Sequence, residues 1–582
     1  MTRKRTLRFH AIALSAVALA AHGAAALSDV TTPSRPVGVN LAPAVDYQTA
    51  WTFVDIMKTA RQWLPQTTQA PGGPWNTGAA ISTDANGWPN ALADGQAAST
   101  LMCREIDGRY PGGRYVCLYE GTGFIDFAFD AKVVSRSPGR IELDVTPSED
   151  GVFMTIKDTD PGDHIRNIRV IMPGFEDSYQ EHPFHPNFLE TLKPFTTLRF
   201  MDWGSTNNSR IERWDERPTP QRYTQQGRGG VALEHMIQLC NELNADGWFC
   251  IPHLADDDYV RNMAQTIKAN LEPGRKAYIE YSNEVWNSMF TQYDYASQQG
   301  QQLGLASEPW VAAWRYTGLR SKQVFDIVGD ILPADRVVRV LPGQAAVSEV
   351  LKQALSVDGV AESVDALAIA PYFSGPASEP QNYPAMLSWS NDYVLDTVED
   401  HIDTVTGWIS DHASLAGQHD LELIGYEGGQ HLVPPPGTPA IDDPLYRILI
   451  LEANRDPRMR NLYYKFLNAW HVAGGSTLCL FNHVSEPTKW GHWGLLEFQD
   501  QPWYEAHKWS GVVKYLYDND SFNNAQDAPL NPDFDGDGVL TNNDLTVFVS
   551  AFIALDPAAD FNQDSVIDGK DIQDFVNAFV GA

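Results

Sequence analysis

Two glutamates, far apart in the chain, each close an apolar run. The residues from Ala277 to Ser282 read as a buried strand, and the strand stops at a polar pair, Asn283-Glu284, with Tyr281 and Trp286 as aromatic neighbours. A carboxyl group in that setting suits a general acid for cleaving a glycosidic bond. Apolar walls raise its pKa, and the adjacent amide can bind a hydroxyl. The second run is Leu421-Glu422-Leu423-Ile424-Gly425-Tyr426, and it ends at Glu427-Gly428-Gly429. The expectation is that Glu284 and Glu427 form one catalytic pair held by the rest of the chain.

The elements that must hold such a pair alternate. A first strand lies at Val37 to Leu41. Further strands are expected at 197–203, 247–253, 277–282, 336–341, 364–372, 421–426 and 476–481. Helical spacing of apolar residues falls at 51–63, 231–243, 257–269, 310–332, 393–409, 459–473 and 503–517. Strands alternating with helices imply parallel βαβ units, and eight of them imply a closed α/β barrel of the (β/α)8 TIM type. Chemistry in that architecture sits at the C-terminal strand ends. Here those ends are polar and aromatic: Asp202-Trp203, Pro252-His253, Asn283-Glu284, Pro371-Tyr372, Glu427 and Asn482-His483. Between residues 75 and 173 the texture changes to short period-two runs with frequent Gly, Pro and Asp. That pattern reads as a β-rich insert after the first strand.

Composition sets limits. The 582 residues include 42 Lys and Arg against 74 Asp and Glu, a net charge of −32. Nucleic acids and anionic membranes attract basic surfaces, so neither is an expected partner. Arg3, Lys4, Arg5 and Arg8 precede the apolar run Ala11 to Ala21 and then Ala24-Ala25-Ala26. This is the pattern of a cleaved signal peptide over residues 1–26, so a secreted protein is expected, mature from about residue 27. Export permits disulfides. Cys103 with Cys117 and Cys240 with Cys250 are the candidate pairs, leaving Cys479 over.

After the barrel region 27–517, a linker is expected at 518–530 and a repeat at 531–582. The first copy places Asp533, Asp535, Asp537, Val539, Thr541 and Asp544 at loop positions one, three, five, seven, nine and twelve. The second places Asp560, Asn562, Asp564, Val566, Asp568 and Asp571 at the same positions. Side-chain oxygens with a backbone carbonyl at position seven make the shell that Ca2+ takes. Helices are expected after each loop, at 545–553 and 572–580. The repeat resembles a dockerin, the module that attaches secreted enzymes to a cohesin. The resemblance implies a small α-helical calcium-loop domain and a cohesin-like or cell-surface partner. Positions ten and eleven are Asn542-Asn543 and Gly569-Lys570, where many dockerins carry Ser or Thr.

With Asn-Glu ending the fourth strand and Glu ending the seventh, residues 37–517 outside the insert resemble the clan A retaining glycoside hydrolases. The resemblance implies Glu284 as acid/base and Glu427 as nucleophile, about 5 Å apart as double displacement requires. It also implies that Asn283 binds the hydroxyl beside the reacting carbon, that Arg199 keeps the nucleophile ionised, and that Tyr372 hydrogen-bonds Glu427. His253 and one of Trp490 or Trp493 would line the sugar site. Trp203, Trp214 and Trp286 join Trp490 in expected loops, where indole faces can stack on sugars. Catalysis itself needs no cofactor in this scheme, and the expected substrate is a β-linked polysaccharide. The alternatives are a carbohydrate-binding barrel without activity and a transglycosylase. Asp256-Asp257-Asp258 is expected to cap the following helix. The arginines 210, 213, 217 and 222 are expected to pair with the acids among them.

Overall fold

A computed structural model describes residues 35–519 and 521–523, and in the C-terminal segment 534, 541–554, 559, 561, 571, 572, 575 and 578. The expected signal peptide lies outside the described residues, as does most of both repeat loops.

Eight parallel strands close into a barrel: β1 Val37–Asn40, β2 Thr197–Arg199, β3 Asp246–Ile251, β4 Ala277–Tyr281, β5 Val337–Pro342, β6 Ala366–Ile369, β7 Glu422–Gly425 and β8 Leu478–Leu480. β1 pairs with β2 on one side and β8 on the other, so neither edge is left open. Alternate side chains divide between two cores. Trp248, Cys250, Tyr278, Ile424 and Cys479 fill the barrel. Phe249, Ile251, Ile279, Tyr281 and Leu423 face the helices. Trp248 and Tyr278 stack inside with ring centroids 5.3 Å apart, and Ala366 and Ala368 are the small residues that make room for such bulk.

The helices Leu233–Leu243, Asp257–Asn270, Pro309–Gly329, Asn391–Gly417, Arg458–Val472 and His507–Asp518 form where apolar spacing places them. Asp256 caps its helix by accepting from the Tyr259 amide. Four helices add to the expected set among the described residues: the short Pro186–Leu192 and Glu349–Leu355, and two longer ones. Thr291–Gln302 is polar and buries only Gln292, Ala296, Ser297 and Gly300. Pro444–Arg455 buries a stripe at Tyr446, Leu449, Ile450 and Ala453, a helical spacing that was present in the sequence.

The segment 51–63 is a correction. Only Ile56–Thr59 coils, as a single 3-10 turn. Phe53 and Asp55 instead make strand-like bridges to Phe184 and Ile171. The apolar residues here pack on both sides of an extended chain, so their helix-like spacing misleads. The insert is a β-sandwich that starts earlier than expected, at Leu64–Thr67. That strand joins Gln96–Met102, Val152–Thr159 and Gly123–Phe129 in one sheet. Arg166–Ile171, Gly113–Glu120, Arg140–Val145 and Ala131–Ser137 make the other.

All five cysteines are buried free thiols, which corrects both expected pairings. Cys250 points into the barrel while Cys240 faces the helix layer. Cys103 follows one sheet of the sandwich and Cys117 lies within the other. Trp203 is core and not a loop platform, stacked on Phe188 at 6.3 Å. Phe522, in the expected linker, is buried in the barrel's outer core. In the tail, equivalent phenylalanines of the two repeats meet: Phe548 and Phe575 stack at 4.0 Å, and Phe534 and Phe561 close on the pair. Among the described residues, no helix is long and apolar enough to cross a membrane.

Two glycines should respond oppositely to alanine. A Cβ at Gly38 would sit 2.6 Å from both Cys479 Sγ and the Thr197 carbonyl oxygen, whereas one at Gly407, inside a long helix, meets nothing within 4 Å. Gly38→Ala should destabilise by about 1–3 kcal/mol and Gly407→Ala should stabilise by about 0.5–1 kcal/mol, read from denaturant unfolding. A thiol reagent should find no reactive cysteine in the native protein and five after unfolding.

Candidate active site

The site is built around Arg199, the last residue of β2. Its side chain is fully buried and points inward. Nη1 donates to Glu427 Oε1 at 2.9 Å and to Asn40 Oδ1 at 3.0 Å. Nη2 donates to Asn283 Oδ1 at 2.8 Å and to Glu280 Oε2 at 2.9 Å, and Nε reaches the same Glu280 oxygen at 3.1 Å. The guanidinium also lies over the rings of Trp248 and Tyr426 at 5.5 and 5.1 Å. One cation thus ties the ends of β1, β2 and β4 to the residue that follows Tyr426, just beyond β7.

Glu280 is the partner that the sequence reading missed. It shares the inward face of β4 with Tyr278, and Trp248 Nε1 donates to it at 2.8 Å. A carboxylate inside an otherwise apolar strand was the available signal. Burying one guanidinium between Glu280 and Glu427 leaves more negative than positive charge, so the hydrogen bonds around them matter. Asn40 Nδ2 continues the network to the carbonyls of Tyr426, Cys479 and Leu480.

Beyond β4 the chain turns sharply. Ser282 and Glu284 both take left-handed backbone angles, φ of 61° and 42°, which cost on the order of 1–3 kcal/mol each for residues with a side chain. Gln292 holds the turn: its amide donates to the Asn283 carbonyl at 2.9 Å and to Asn207 Oδ1 at 2.7 Å. Asn207 in turn accepts from Asn283 Nδ2 at 3.1 Å. The polar helix Thr291–Gln302 is therefore explained by what it supports.

The two glutamates occupy different electrostatic settings. Glu427 takes Arg199 on one oxygen and the Tyr372 hydroxyl on the other, at 3.0 Å. Burial pushes its carboxyl up, and the guanidinium and the hydroxyl oppose that push. Glu284 has an amide donor, Asn287 Nδ2 at 2.9 Å, and the Tyr426 hydroxyl at 3.4 Å. Burial first, and the charge of Glu427 second, push Glu284 up to about 8. The cation on Glu427 favours its ionised form, and the charge of Glu427 in turn favours the protonated form of Glu284. Asp202, just past Arg199, is pushed up to about 7 by burial and then by Glu427.

The other expected site residues separate. Tyr372 packs on His431 and Phe481, and Trp493 closes against both of those rings at 5.9 and 5.8 Å, so Trp493 belongs to the wall beside Glu427. Trp490 is 62% exposed, with the Lys489 ammonium over its ring. Trp286 is half-buried beside the Tyr426 phenol. His253 packs edge-on against Tyr295 in the helix layer, and burial lowers its pKa to about 4. His483, at the end of β8, turns outward to Thr191 at 2.8 Å. The arginine-rich loop after β2 forms ion pairs within and beside itself, Arg213 with Asp215 and Arg217 with Glu234. Trp214 packs on Tyr259 and Arg217. Among the described residues, no group of three or more His, Cys, Asp or Glu is arranged to hold a metal.

No family model matches the chain, and no curated protein does. Solved structures resemble it in chain trace. An arabinose-bound α-L-arabinofuranosidase gives a TM-score of 0.42 at 10% identity over 79% of this chain and 76% of that one. A xylanase from Cellvibrio japonicus in complex with xylopentaose gives 0.31 at 10%, over 80% and 99%. A modular endo-β-1,4-mannanase from Cellulomonas fimi gives 0.29 at 8%, over 49% and 56%. Likeness at this level says nothing about the reaction, which has to be read from the side chains.

Arg199→Met should leave Glu280 and Glu427 buried without a cation and destabilise the fold by about 3–5 kcal/mol, measured by urea unfolding. Adding Glu280→Gln should recover part of the loss, a coupling that a double-mutant cycle would register. Glu284 gives a second expectation. Its folded pKa of about 8 exceeds its unfolded value, so the stability it contributes is present at low pH and lost as pH rises through about 8. Glu284→Gln should therefore melt above the wild type, by a margin that widens from pH 5 to pH 8.

Proposed function

We propose that the chain is a retaining glycoside hydrolase acting on β-linked polysaccharide, with Glu427 as nucleophile and Glu284 as acid/base. The observation that carries this reading is the asymmetry of the pair. Glu427 is clamped by Arg199 and Tyr372 at 2.9 and 3.0 Å, as a carboxylate that must attack while ionised requires. Glu284 has no cation and is pushed up to about 8, as a group that must arrive protonated requires. In the first step Glu427 Oε2 attacks the anomeric carbon while Glu284 gives its proton to the departing oxygen. In the second, Glu284 takes a proton from water, which attacks the same carbon and releases Glu427. Loss of its charge lowers the pKa of Glu284 in the intermediate, since the charge of Glu427 is one cause of the rise.

Asn283, fixed by Arg199 and Asn207, is placed to bind the hydroxyl next to the reacting carbon. Trp493, Phe481 and Tyr372 form the apolar wall of the sugar site. The C-terminal repeat supports a dockerin-like calcium module attached to an exported enzyme. Its two last loop positions, Asp544 and Asp571, are fully buried carboxylates, which a divalent cation would neutralise. Calcium there would be structural and would hold the tail's helices to its phenylalanine cluster.

Three outcomes are expected. Glu427→Gly should lose all but a trace of turnover on polysaccharide, and azide should restore a product of inverted anomeric configuration; unchanged turnover would end the nucleophile assignment. For wild type, kcat/KM on substrates with poor leaving groups should fall as pH rises through about 8, and that limb should vanish in Glu284→Gln assayed on an activated aryl glycoside. Chelation of calcium should lower the melting of the tail in calorimetry, reversibly on adding calcium, while barrel turnover stays unchanged.

A further inference from the structure

The sandwich insert carries an aromatic surface that the catalytic reading does not use. Trp75 is 45% exposed and Phe129 is 40% exposed. Between them lies Phe153, fully buried, with its ring centroid 5.9 Å from Trp75 and 4.9 Å from Phe129. The Arg104 guanidinium lies 5.8 Å from each exposed ring. It is held from behind by the Asp150 carbonyl at 3.1 Å and by Glu105 at 3.3 Å. The surface is therefore a pair of half-exposed rings packed on buried Phe153, with the Arg104 guanidinium over both.

Two features argue that the rings are held outward for a purpose. Phe129 has φ of 61°, a left-handed angle that bulky side chains rarely adopt and that persists only where the surroundings enforce it. Trp75 lies in a segment laid over the outer face of its sheet, where Gln66 donates to the Trp75 carbonyl at 2.8 Å.

The loop that carries Arg104 is also joined to loops at the C-terminal ends of the barrel strands. The Arg104 amide donates to the Asp46 carbonyl at 2.9 Å, in the loop that leaves β1. Arg109, five residues on, stacks on Phe498 at 4.0 Å, in the loop that leaves β8. Trp51 Nε1 donates to the Arg109 carbonyl at 2.8 Å. Loops after β1 and β8 border the site of Glu284 and Glu427, because both leave the C-terminal ends of their strands.

We propose that Trp75, Phe129 and Arg104 form a glycan-binding subsite for a distal stretch of the polysaccharide whose cleavage is proposed above. The rings would stack on the C–H faces of sugar rings, and Arg104 would donate to their hydroxyls. A neutral polysaccharide fits better than a charged partner. The guanidinium already has Glu105 beside it, and the carboxylates of Asp107 and Glu149 near the same loops disfavour an anion.

The test is native affinity electrophoresis in arabinoxylan, glucomannan, xyloglucan and mixed-linkage β-glucan, with the Glu427→Gly protein so that turnover plays no part. Trp75→Ala and Phe129→Gly are the variants; the glycine relieves the left-handed backbone, so loss of binding there is not loss of fold. Each should weaken retention about tenfold in at least one glycan that retains the parent. In the Glu427-intact protein, each should lower kcat/KM on that polymer while leaving a short aryl glycoside unchanged. Equal retention of parent and variants, or no retention of the parent in any of the four, overturns the subsite whatever the activity. Retention that depends on Trp75 and Phe129, with no bond cleaved by the Glu427-intact protein, upholds the subsite and overturns the hydrolase.

Discussion

A guanidinium without water has to find its counter-charges in the protein, and Arg199 finds them on separate strands. Coulomb attraction rises steeply as the dielectric falls, and so does the cost of leaving a charge unpaired. Arg199 therefore fixes the relative placement of Asn40, Glu280, Asn283 and Glu427. Closing the barrel and assembling the site are one event, because the partners come together only when β1, β2, β4 and β7 stand in register.

The asymmetry between the two glutamates has the same origin. Glu427 lies on the guanidinium, and Glu284 stands off it at the end of a strained turn that Gln292 and Asn287 secure. Two like residues thereby acquire unlike proton affinities without any difference in side-chain chemistry. The tyrosines share the work: Tyr372 serves Glu427, while Tyr426 divides its hydroxyl between Glu284 and the Gly343 carbonyl at 3.2 Å.

The insert enters after β1 and returns to the barrel before β2, so it is carried by the connection that leaves the C-terminal end of β1. The connecting segment bridges the two cores: Phe53 packs in the barrel's outer core, while Asp55 accepts from the Met57 amide at 3.1 Å and the Val170 amide at 2.8 Å on the sandwich side. The sandwich is also tied to loops that leave the C-terminal ends of β1 and β8, through Arg104 N–H to the Asp46 carbonyl and Arg109 on Phe498.

Much was legible from the order of residues alone. Strand spacing located all eight barrel strands, and strand-end polarity singled out Asn283, Glu284 and Glu427, because period and polarity are short-range properties of a chain. The capping role of Asp256 followed the same logic, whereas the contacts of Arg199 and Tyr372 with Glu427 were implied by a resemblance and not by spacing. The residues 51–63 did not, since helical spacing there serves two packing faces of an extended segment. The sequence by itself determined where acids stand at strand ends and that a β-rich insert interrupts the first βα unit; that the insert is a two-sheet sandwich came from the structure. Only the tertiary structure decided that Glu280 sits under the cation, that Cys250 and Cys240 face different cores, that His483 turns outward, and that the guanidinium lies on Glu427 and not on Glu284. Those facts depend on distances between strands remote in sequence, and charge interacts through space and not along the chain.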